Sequence, residues 1–143
     1  MEANRELLER YVELYNAGDL EACMELYAED AVQWMHDGLF EGVDAIQERL
    51  ARDLTAFPDA KYVVESFVED DDKFADEWTF TGTNTGPFRL PDGSEVPATG
   101  RPVEIKGMEF VEVRDGKIVV DNLYYDFMAA VAQLGLVPEG VAA

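Results

Sequence analysis

The chain has 143 residues, 48% of them hydrophobic, which is enough for a folded core, and we expect one domain spanning residues 1–143. The 31 acidic residues outnumber the 11 Lys and Arg residues, giving a formal net charge of −20. A surface this acidic repels the phosphates of nucleic acids and anionic lipid headgroups, so we expect neither as a partner.

Cysteine and histidine each occur once, as Cys23 and His36. A single Cys cannot form an intrachain disulfide, and one His offers no second imidazole for a metal centre, so we expect no metal. The first ten residues are charged rather than apolar, and no apolar run reaches membrane-spanning length. We therefore expect a cytoplasmic protein whose chemistry depends on carboxylates, amides, phenols and one imidazole.

The first third of the chain is mainly helical in pattern. Five apolar residues recur at helical spacing, namely Leu7, Leu8, Tyr11, Leu14 and Tyr15. Gly18 suits the end of that helix, and Asp19 suits the N-cap of a short second helix carrying apolar residues between Leu20 and Tyr27. A third helix is predicted from Val43 to Leu54, before Pro58.

The remainder of the chain has the pattern of strands. Alternating apolar residues and turn signals predict five strands, at Ala31–His36, Lys61–Val68, Lys73–Gly82, Pro102–Val113 and Lys117–Asp126. Asp115-Gly116 indicates a tight hairpin, and Phe127–Leu134 indicates a closing helical turn. Helices followed by an antiparallel meander predict an α+β fold, with helices on one face of a curved sheet. A strongly curved sheet covered by helices on its concave face encloses a cone, and the open end of this cone admits small molecules.

Side chains alternate between the two faces of a strand, so the spacing of residues predicts which of them face the cone. In the last strand one face carries Ile118, Val120, Asn122, Tyr124 and Asp126. This face begins apolar and ends polar, as expected for a pocket wall that runs from floor to mouth. Phe74, Asp76, Trp78, Phe80 and Asn84 also share one parity.

Glu109 has two possible positions. It shares parity with the aliphatic residues Val103 and Val111, which would place its carboxylate inside the cone as a second acid. A bulge at Gly107 would instead reverse the register, bury Phe110 and leave Glu109 in water.

Several segments of the chain are similar to one known family. The segments GTNTGPF (82–88), PATGRPV (97–103), DGKIV (115–119) and YDFMAAVAQLGL (125–136) resemble the SnoaL-like polyketide cyclases of the NTF2-like superfamily. The segment YNAGDLEACMELYAEDAV (15–32) resembles the opening of that superfamily. The resemblance implies a cone that is usually dimeric through its outer sheet face, and ring closure by intramolecular aldol condensation without metal or organic cofactor.

The resemblance also implies roles for individual residues. A last-strand aspartate acts as general acid/base in the family, and Asp126 matches it, seven residues before Gln133. Asn84 stands where many relatives have His, and Asn122 stands where a Trp is common. Tyr11 falls where the related ketosteroid isomerases place an oxyanion-hole tyrosine.

Each candidate residue also has an ordinary structural explanation. Asp126 is either the proton carrier or the N-cap of the closing helix. His36 is either a proton shuttle or a partly exposed residue at a strand end. Tyr11 is either an oxyanion donor or a core residue, and Trp34, Trp78 and Phe80 either hold a flat aromatic ligand or form core.

We expect cofactor-independent acid/base chemistry on a small apolar carbonyl compound, either an aldol cyclisation or a related isomerisation, in a homodimer. The proposed catalytic residues are Asp126 and His36. The expected polar and aromatic lining is Tyr11, Trp34, Trp78, Asn84, Glu109, Asn122 and Tyr124. Three alternatives remain open: a ligand-binding protein without catalysis, a ketosteroid-isomerase-like enzyme, and an assembly domain whose cone is filled by its own side chains.

Overall fold

The computed structural model describes residues 2–137. Its helices are α1 (Glu2–Asn16), α2 (Leu20–Met24), α3 (Val43–Ala56) and α4 (Phe127–Gln133). Its strands are β1 (Tyr27–Met35), β2 (Gly38–Glu41), β3 (Lys61–Asp70), β4 (Lys73–Thr83), β5 (Phe88–Arg89), β6 (Glu95–Val96), β7 (Pro102–Arg114) and β8 (Lys117–Tyr125). Within residues 2–137, no helix is long and apolar enough to cross a membrane.

Six strands form one sheet in the order β2-β1-β8-β7-β4-β3. The pairs are antiparallel except for β1 and β8, which run parallel. Helix α1 packs against β3 and helix α3 packs against β1, so the helices close the same side of the sheet. The predicted α+β fold, with helices on one face of a curved sheet, is confirmed.

The predicted elements differ from the observed ones at a few places. Helix α2 ends at Met24, and Tyr27, predicted to be helical, begins β1 instead. The segment after the predicted turn at Asp37-Gly38 forms β2, which pairs with β1. The Asp115-Gly116 hairpin is confirmed: both residues have positive φ, 52° and 75°, as the tight turn requires.

A β-bulge in the last strand changes which of its side chains face the helices. Glu112 pairs with Val120 and Val113 pairs with Ile118, so Val119 is an extra residue without an opposite partner. Ile118 is buried before the bulge, and Asp121 and Leu123 are buried after it. The expectation that Ile118, Val120, Asn122, Tyr124 and Asp126 share the inner face is therefore wrong beyond Ile118.

Strand β7 keeps a regular register, which decides the position of Glu109. Gly107 pairs with Trp78 without a bulge, and Glu109 is 8% exposed on the inner face. Gly107 is needed here, because a Cβ atom would lie 2.4 Å from the Trp78 ring. Of the two positions that the sequence allows for Glu109, the inner one is observed.

Candidate functional site

The concave side of the sheet holds a largely aromatic cavity. It encloses about 520 Å³ of empty space, including the part that opens to solvent. Its walls come from the sheet, from α3, from α4 and from the β5 segment. They comprise Met35, Arg49, Asp53, Phe57, Tyr62, Trp78, Phe80, Phe88, Ile105, Leu123, Tyr125 and Ala130. Walls of this composition suit a flat, apolar ligand.

Three acidic residues lie together beyond the aromatic walls. Asp76 on β4 is directly opposite Glu109 on β7, and Asp121 on β8 is diagonal to Glu109 on the same face. Their exposed fractions are 2%, 8% and 2%. The space they line shares Arg49, Tyr62, Trp78 and Leu123 with the aromatic cavity, so the two spaces adjoin. We call Asp76, Glu109 and Asp121 the carboxylate cluster.

Asp121 is held by hydrogen bonds that extend across the cavity floor. Its Oδ2 accepts one bond from the Tyr27 hydroxyl and one from Gln33 Nε2, both at 3.0 Å. Gln33 Oε1 accepts from Arg49 Nε at 2.6 Å, and Arg49 Nη1 pairs with Asp53 Oδ2 at 3.0 Å. These two donors on one carboxylate oxygen fix the Asp121 side chain in place beside Glu109.

The other two members of the cluster hold protons more tightly than exposed carboxyls do. Burial raises the pKa of Glu109 well above its ordinary value of 4.5, and the charges of Asp121 and Asp76 raise it further. Burial also raises the pKa of Asp76 to about 7, with Glu109 opposing that rise and Asp121 adding to it. Because three buried carboxylates repel one another, we assign a proton to Glu109 at neutral pH.

The hydrogen bonds of the cluster support this assignment. Both oxygens of Asp76 and Oδ1 of Asp121 are buried and accept no bond from an N–H or hydroxyl group of residues 2–137. A protonated Glu109 supplies an O–H that either neighbour accepts, and side-chain hydrogen bonds from Glu109 to both neighbours affect its pKa. Within residues 2–137, no group of three or more His, Cys, Asp or Glu side chains is arranged to hold a metal ion.

Tyr11 on α1 lines the same space as the carboxylate cluster. Burial raises the pKa of Tyr11, and the neighbouring Tyr62, Asp121 and Glu109 raise it further. Its phenol therefore keeps its proton and remains a neutral donor beside the acids. Trp78, the other aromatic candidate on the inner face, is 5% exposed and lines both spaces.

His36 lines a space that adjoins the aromatic cavity, shares Met35, Phe88 and Tyr125 with it, and contains none of the three acids of the carboxylate cluster. We call this space the mouth of the cavity. Its ring stacks on Phe127 with centroids 4.4 Å apart and meets the edge of Tyr125 at 5.1 Å. Partial burial lowers its pKa from 6.5, against the opposing effect of Asp37. The structure therefore gives His36 a mouth position and does not bring it to the acids that line the floor.

Asp126 is not inside the cavity, and the expectation that it lies there is wrong. Its side chain is exposed, and its Oδ1 accepts a hydrogen bond from the Ala129 amide at 3.0 Å. It is the N-cap of α4, the structural explanation that the sequence also allowed. A solvated carboxylate in this position lacks the dehydrated setting that the predicted base requires.

Three other predicted lining residues lie on the outer face of the sheet: Asn122 and Tyr124 follow the bulge at Val119 in β8, and Trp34 faces outward from β1 between the buried Gln33 and Met35. Trp34 is 40% exposed and Tyr124 is 47% exposed, and their ring centroids lie 5.3 Å apart. Asn122 pairs with Trp34 on β1 and with Phe110 on β7, on the same outer side. The prediction that these three residues line the pocket is wrong.

Asn84 is fully buried but supports the chain rather than the cavity. Its Nδ2 donates to the carbonyls of Ala56 and Gly86 at 3.1 and 2.8 Å. Its Oδ1 accepts from the amide and the hydroxyl of Thr99, both at 2.9 Å. These bonds occupy the amide group of Asn84, so the prediction that it orients a ligand is wrong.

Sequence reasoning missed Asp121, Gln33, Arg49 and Asp53. Part of the signal was present, because Arg49 and Asp53 are four residues apart and follow the buried Ile46 and Leu50 around α3. A charged pair on the inner face of an amphipathic helix indicates a polar cavity. Asp121 had no such signal, because alternation alone places it outside the cone.

The chain belongs to the family described as SnoaL-like polyketide cyclase, whose model matches residues 5–134. Membership of this family supports a cyclase- or isomerase-type function in general terms. No curated protein matches the chain at significant similarity.

Solved structures give the same fold. AclR from Streptomyces galilaeus, a proposed hydroxylase, is 26% identical with a TM-score of 0.81, covering 94% of this chain and 96% of AclR. IdmH from Streptomyces antibioticus, a proposed polyketide cyclase, is 28% identical with a TM-score of 0.75, covering 92% and 97%. A proposed SnoaL-like polyketide cyclase from Jannaschia sp. CCS1 is 21% identical with a TM-score of 0.83, covering 95% and 94%. The predicted NTF2-like fold class is thereby confirmed.

Proposed function

We propose that this protein catalyses cofactor-independent proton transfer on a small apolar carbonyl compound, leading to intramolecular aldol cyclisation or a related isomerisation. In this proposal the proton carriers are Asp76 and Glu109 of the carboxylate cluster, instead of Asp126. The observation that carries it is the pair of facing carboxyl groups on β4 and β7, both buried beside an aromatic cavity.

The two carboxyl groups suit opposite halves of an enolisation. A general base works best when its pKa lies near the working pH, and the pKa of Asp76 is about 7. Ionised Asp76 takes a proton from the carbon next to the substrate carbonyl, and the C–H electron pair becomes the double bond of the enolate. Glu109 gives its proton to the carbonyl oxygen, where negative charge develops. Tyr11 is a further donor toward that oxygen.

The cyclisation then restores both groups. The enol carbon attacks a second carbonyl carbon of the same molecule, forming the new C–C bond, while the enol proton returns to Glu109. The second carbonyl oxygen receives the proton held by Asp76. In an isomerisation, Asp76 instead returns its proton to a different carbon. Neither route requires an external oxidant or reductant, because protons and electrons balance within the substrate and the two carboxyls.

Exchange of carbon-bound hydrogen tests this proposal without knowledge of the natural substrate. The aromatic ketone 2-tetralone is incubated with the protein in D₂O, and deuterium uptake beside the carbonyl is followed by NMR. We expect catalysed exchange whose rate rises with pH through about 7, because the base acts when Asp76 is ionised. Asp76→Asn and Glu109→Gln should each lower the rate by about 10²–10⁴-fold.

Asp126→Asn is the matched control, because it removes one exposed carboxylate and leaves a residue that caps helices equally well. Its exchange rate should equal that of the unaltered protein. Loss of exchange in Asp126→Asn, with exchange kept in Asp76→Asn, would contradict the assignment and return the role to Asp126.

The non-catalytic alternative makes a different prediction in the same experiment. A protein that only binds its ligand gives no deuterium uptake above the buffer rate, although the ketone still binds in the aromatic cavity. A ketosteroid-isomerase-like enzyme gives uptake and also shifts a double bond in a β,γ-unsaturated ketone. Offering both kinds of ketone therefore separates binding, enolisation and isomerisation.

We also propose that the protein is a homodimer that pairs through the outer face of the sheet. Trp34, Met108, Phe110 and Tyr124 lie on this face and are each about 40–50% exposed. They occupy the adjoining strands β1, β8 and β7. A contiguous apolar patch on a chain of net charge −20 gives a second copy an apolar surface on which to pack.

A further inference from the structure

The mouth of the cavity concentrates positive charge in a strongly acidic protein. Arg49, Arg52 and Arg89 all line the mouth, together with the acidic residues Asp37 and Asp53. The whole chain has only 11 Lys and Arg residues against 31 acidic ones. An opening that merely admitted an apolar molecule would have no need of three guanidinium groups.

Two of these arginines are free of protein ion pairs within residues 2–137. Arg49 is neutralised by Asp53 at 3.0 Å, whereas no carboxylate lies within ion-pairing distance of Arg52 or Arg89 in the described chain. Among residues 2–137, Asp37 is the only other acid that lines the mouth. Burial lowers the pKa of His36, so its ring is neutral at pH 7 and adds no charge. The mouth therefore carries more positive than negative charge.

Arg52 has a buried donor that no acceptor in the described part of the chain uses. Its Nε is shielded from solvent and has no hydrogen-bond partner in residues 2–137. Its guanidinium carbon lies 5.5 Å from the centre of the Phe40 ring, which supports the planar group from one side. An unpaired buried donor costs free energy, and a ligand acceptor at the mouth would remove that cost once the Arg52 side chain turns its Nε outward.

We propose that the mouth is a carboxylate-binding subsite, formed by Arg52 and Arg89, for an apolar ligand that carries one acidic group. The aromatic body of the ligand occupies the cavity, and its carboxylate remains at the mouth, where a guanidinium matches the two oxygens of the carboxylate. The subsite itself does not depend on the proposed function. Only the statement that a reacting carbonyl lies at the inner end of the ligand, next to the carboxylate cluster, rests on it.

The charges at the two ends of the cavity also determine the orientation in which an anionic ligand binds. The inner end holds Asp76, Glu109 and Asp121, which repel an anionic group, and the mouth holds the arginines, which attract one. A ligand with an acid at one end therefore enters with its neutral carbonyl end first. A neutral ligand would bind in either direction, and only one of these brings its carbonyl to Asp76.

Binding of 2-naphthoate, compared with 2-naphthamide, tests the subsite. The two molecules have the same ring system and differ in charge, and neither has a C–H acidic enough to react. By titration calorimetry we expect naphthoate to bind about tenfold more tightly than the amide, since hydrogen bonds to charged groups are the stronger kind. This preference should shrink as salt is added.

Arg52→Gln and Arg89→Gln should each remove most of the preference while leaving amide binding unchanged. Arg114→Gln is the matched control, because Arg114 is an exposed residue at the C-terminal end of β7 and does not line the mouth. The preference for naphthoate over the amide should persist in this variant. Equal affinity for the two ligands, no binding of naphthoate, or equal effects of all three variants would each overturn the subsite.

Asp76→Asn separates this inference from the proposed catalysis. It should abolish deuterium exchange in 2-tetralone and still favour naphthoate over the amide. If the preference is present but exchange is absent in the unaltered protein, the subsite stands and the proposed chemistry fails. If exchange is present but the preference is absent, the chemistry stands and the subsite fails.

Discussion

Replacing Asp76 by Asn should make the protein more stable, because the proposed base is held in a place that disfavours its charge. The pKa of Asp76 is about 7 in the folded chain, against an ordinary value of 3.8. At a pH below both pKa values the carboxyl is neutral in the folded and in the unfolded chain, so its ionisation does not change the free energy of unfolding. Between them the unfolded chain loses the proton first, and the free energy of unfolding falls as pH rises.

The size of the effect follows from the difference between the two pKa values. A difference of about three units corresponds to about 4 kcal/mol at about 1.4 kcal/mol per unit. Asn has nearly the same shape and cannot ionise, so it avoids this cost. Asp76→Asn should therefore raise the free energy of unfolding by up to about 4 kcal/mol at pH 8 and by about zero at pH 4.

Urea denaturation followed by circular dichroism, at half-unit steps from pH 4 to pH 8.5, measures this difference. Asp126→Asn is again the matched control, because it changes the net charge of the chain by the same amount at an exposed position. The difference between the two variants should grow as pH rises through the interval from about 4 to about 7. A gain that is independent of pH, or a loss of stability at pH 8, would refute the reasoning.

Two further substitutions test other parts of the structure. Asn84→Ala leaves the buried polar groups around Asn84 unpaired and should lower the free energy of unfolding by about 2–4 kcal/mol, as measured in urea; a loss below about 1 kcal/mol would contradict its structural role. Phe110→Glu places a charge in the apolar outer patch and should convert the proposed dimer to a monomer in sedimentation velocity, whereas Glu77→Gln on the same face should not.

The order of helices and strands was predictable because it follows from local patterns. Apolar spacing marks α1 and α3, and the Asp115-Gly116 turn fixes the β7–β8 hairpin. The prediction failed at Tyr27, where a residue with helical spacing begins a strand. Its hydroxyl donates to Asp121, a contact between residues far apart in sequence that no local pattern contains.

The candidate site was only partly predictable, because the single extra residue Val119 determines which side chains of β8 face the cavity. Alternation correctly places Glu109 and Asp76 on the inner face, since β7 and β4 pair without interruption between them. Alternation fails in β8, because the extra residue Val119 reverses the direction of every following side chain. The acid that enters the cavity is consequently Asp121, and Asp126 becomes a helix cap.

The contact between Trp78 and Gly107 positions the indole between the two parts of the cavity. The indole lines both the aromatic cavity and the space around the carboxylate cluster, so it stands between them. It rests against a strand position where a hydrogen atom replaces a methyl group, and a Cβ atom there would overlap the ring. A single added carbon at position 107 would push the indole inward and narrow the passage. We therefore expect the change from Gly to Ala at position 107, the addition of one methyl group, to exclude from the acids some of the molecules that enter the aromatic cavity.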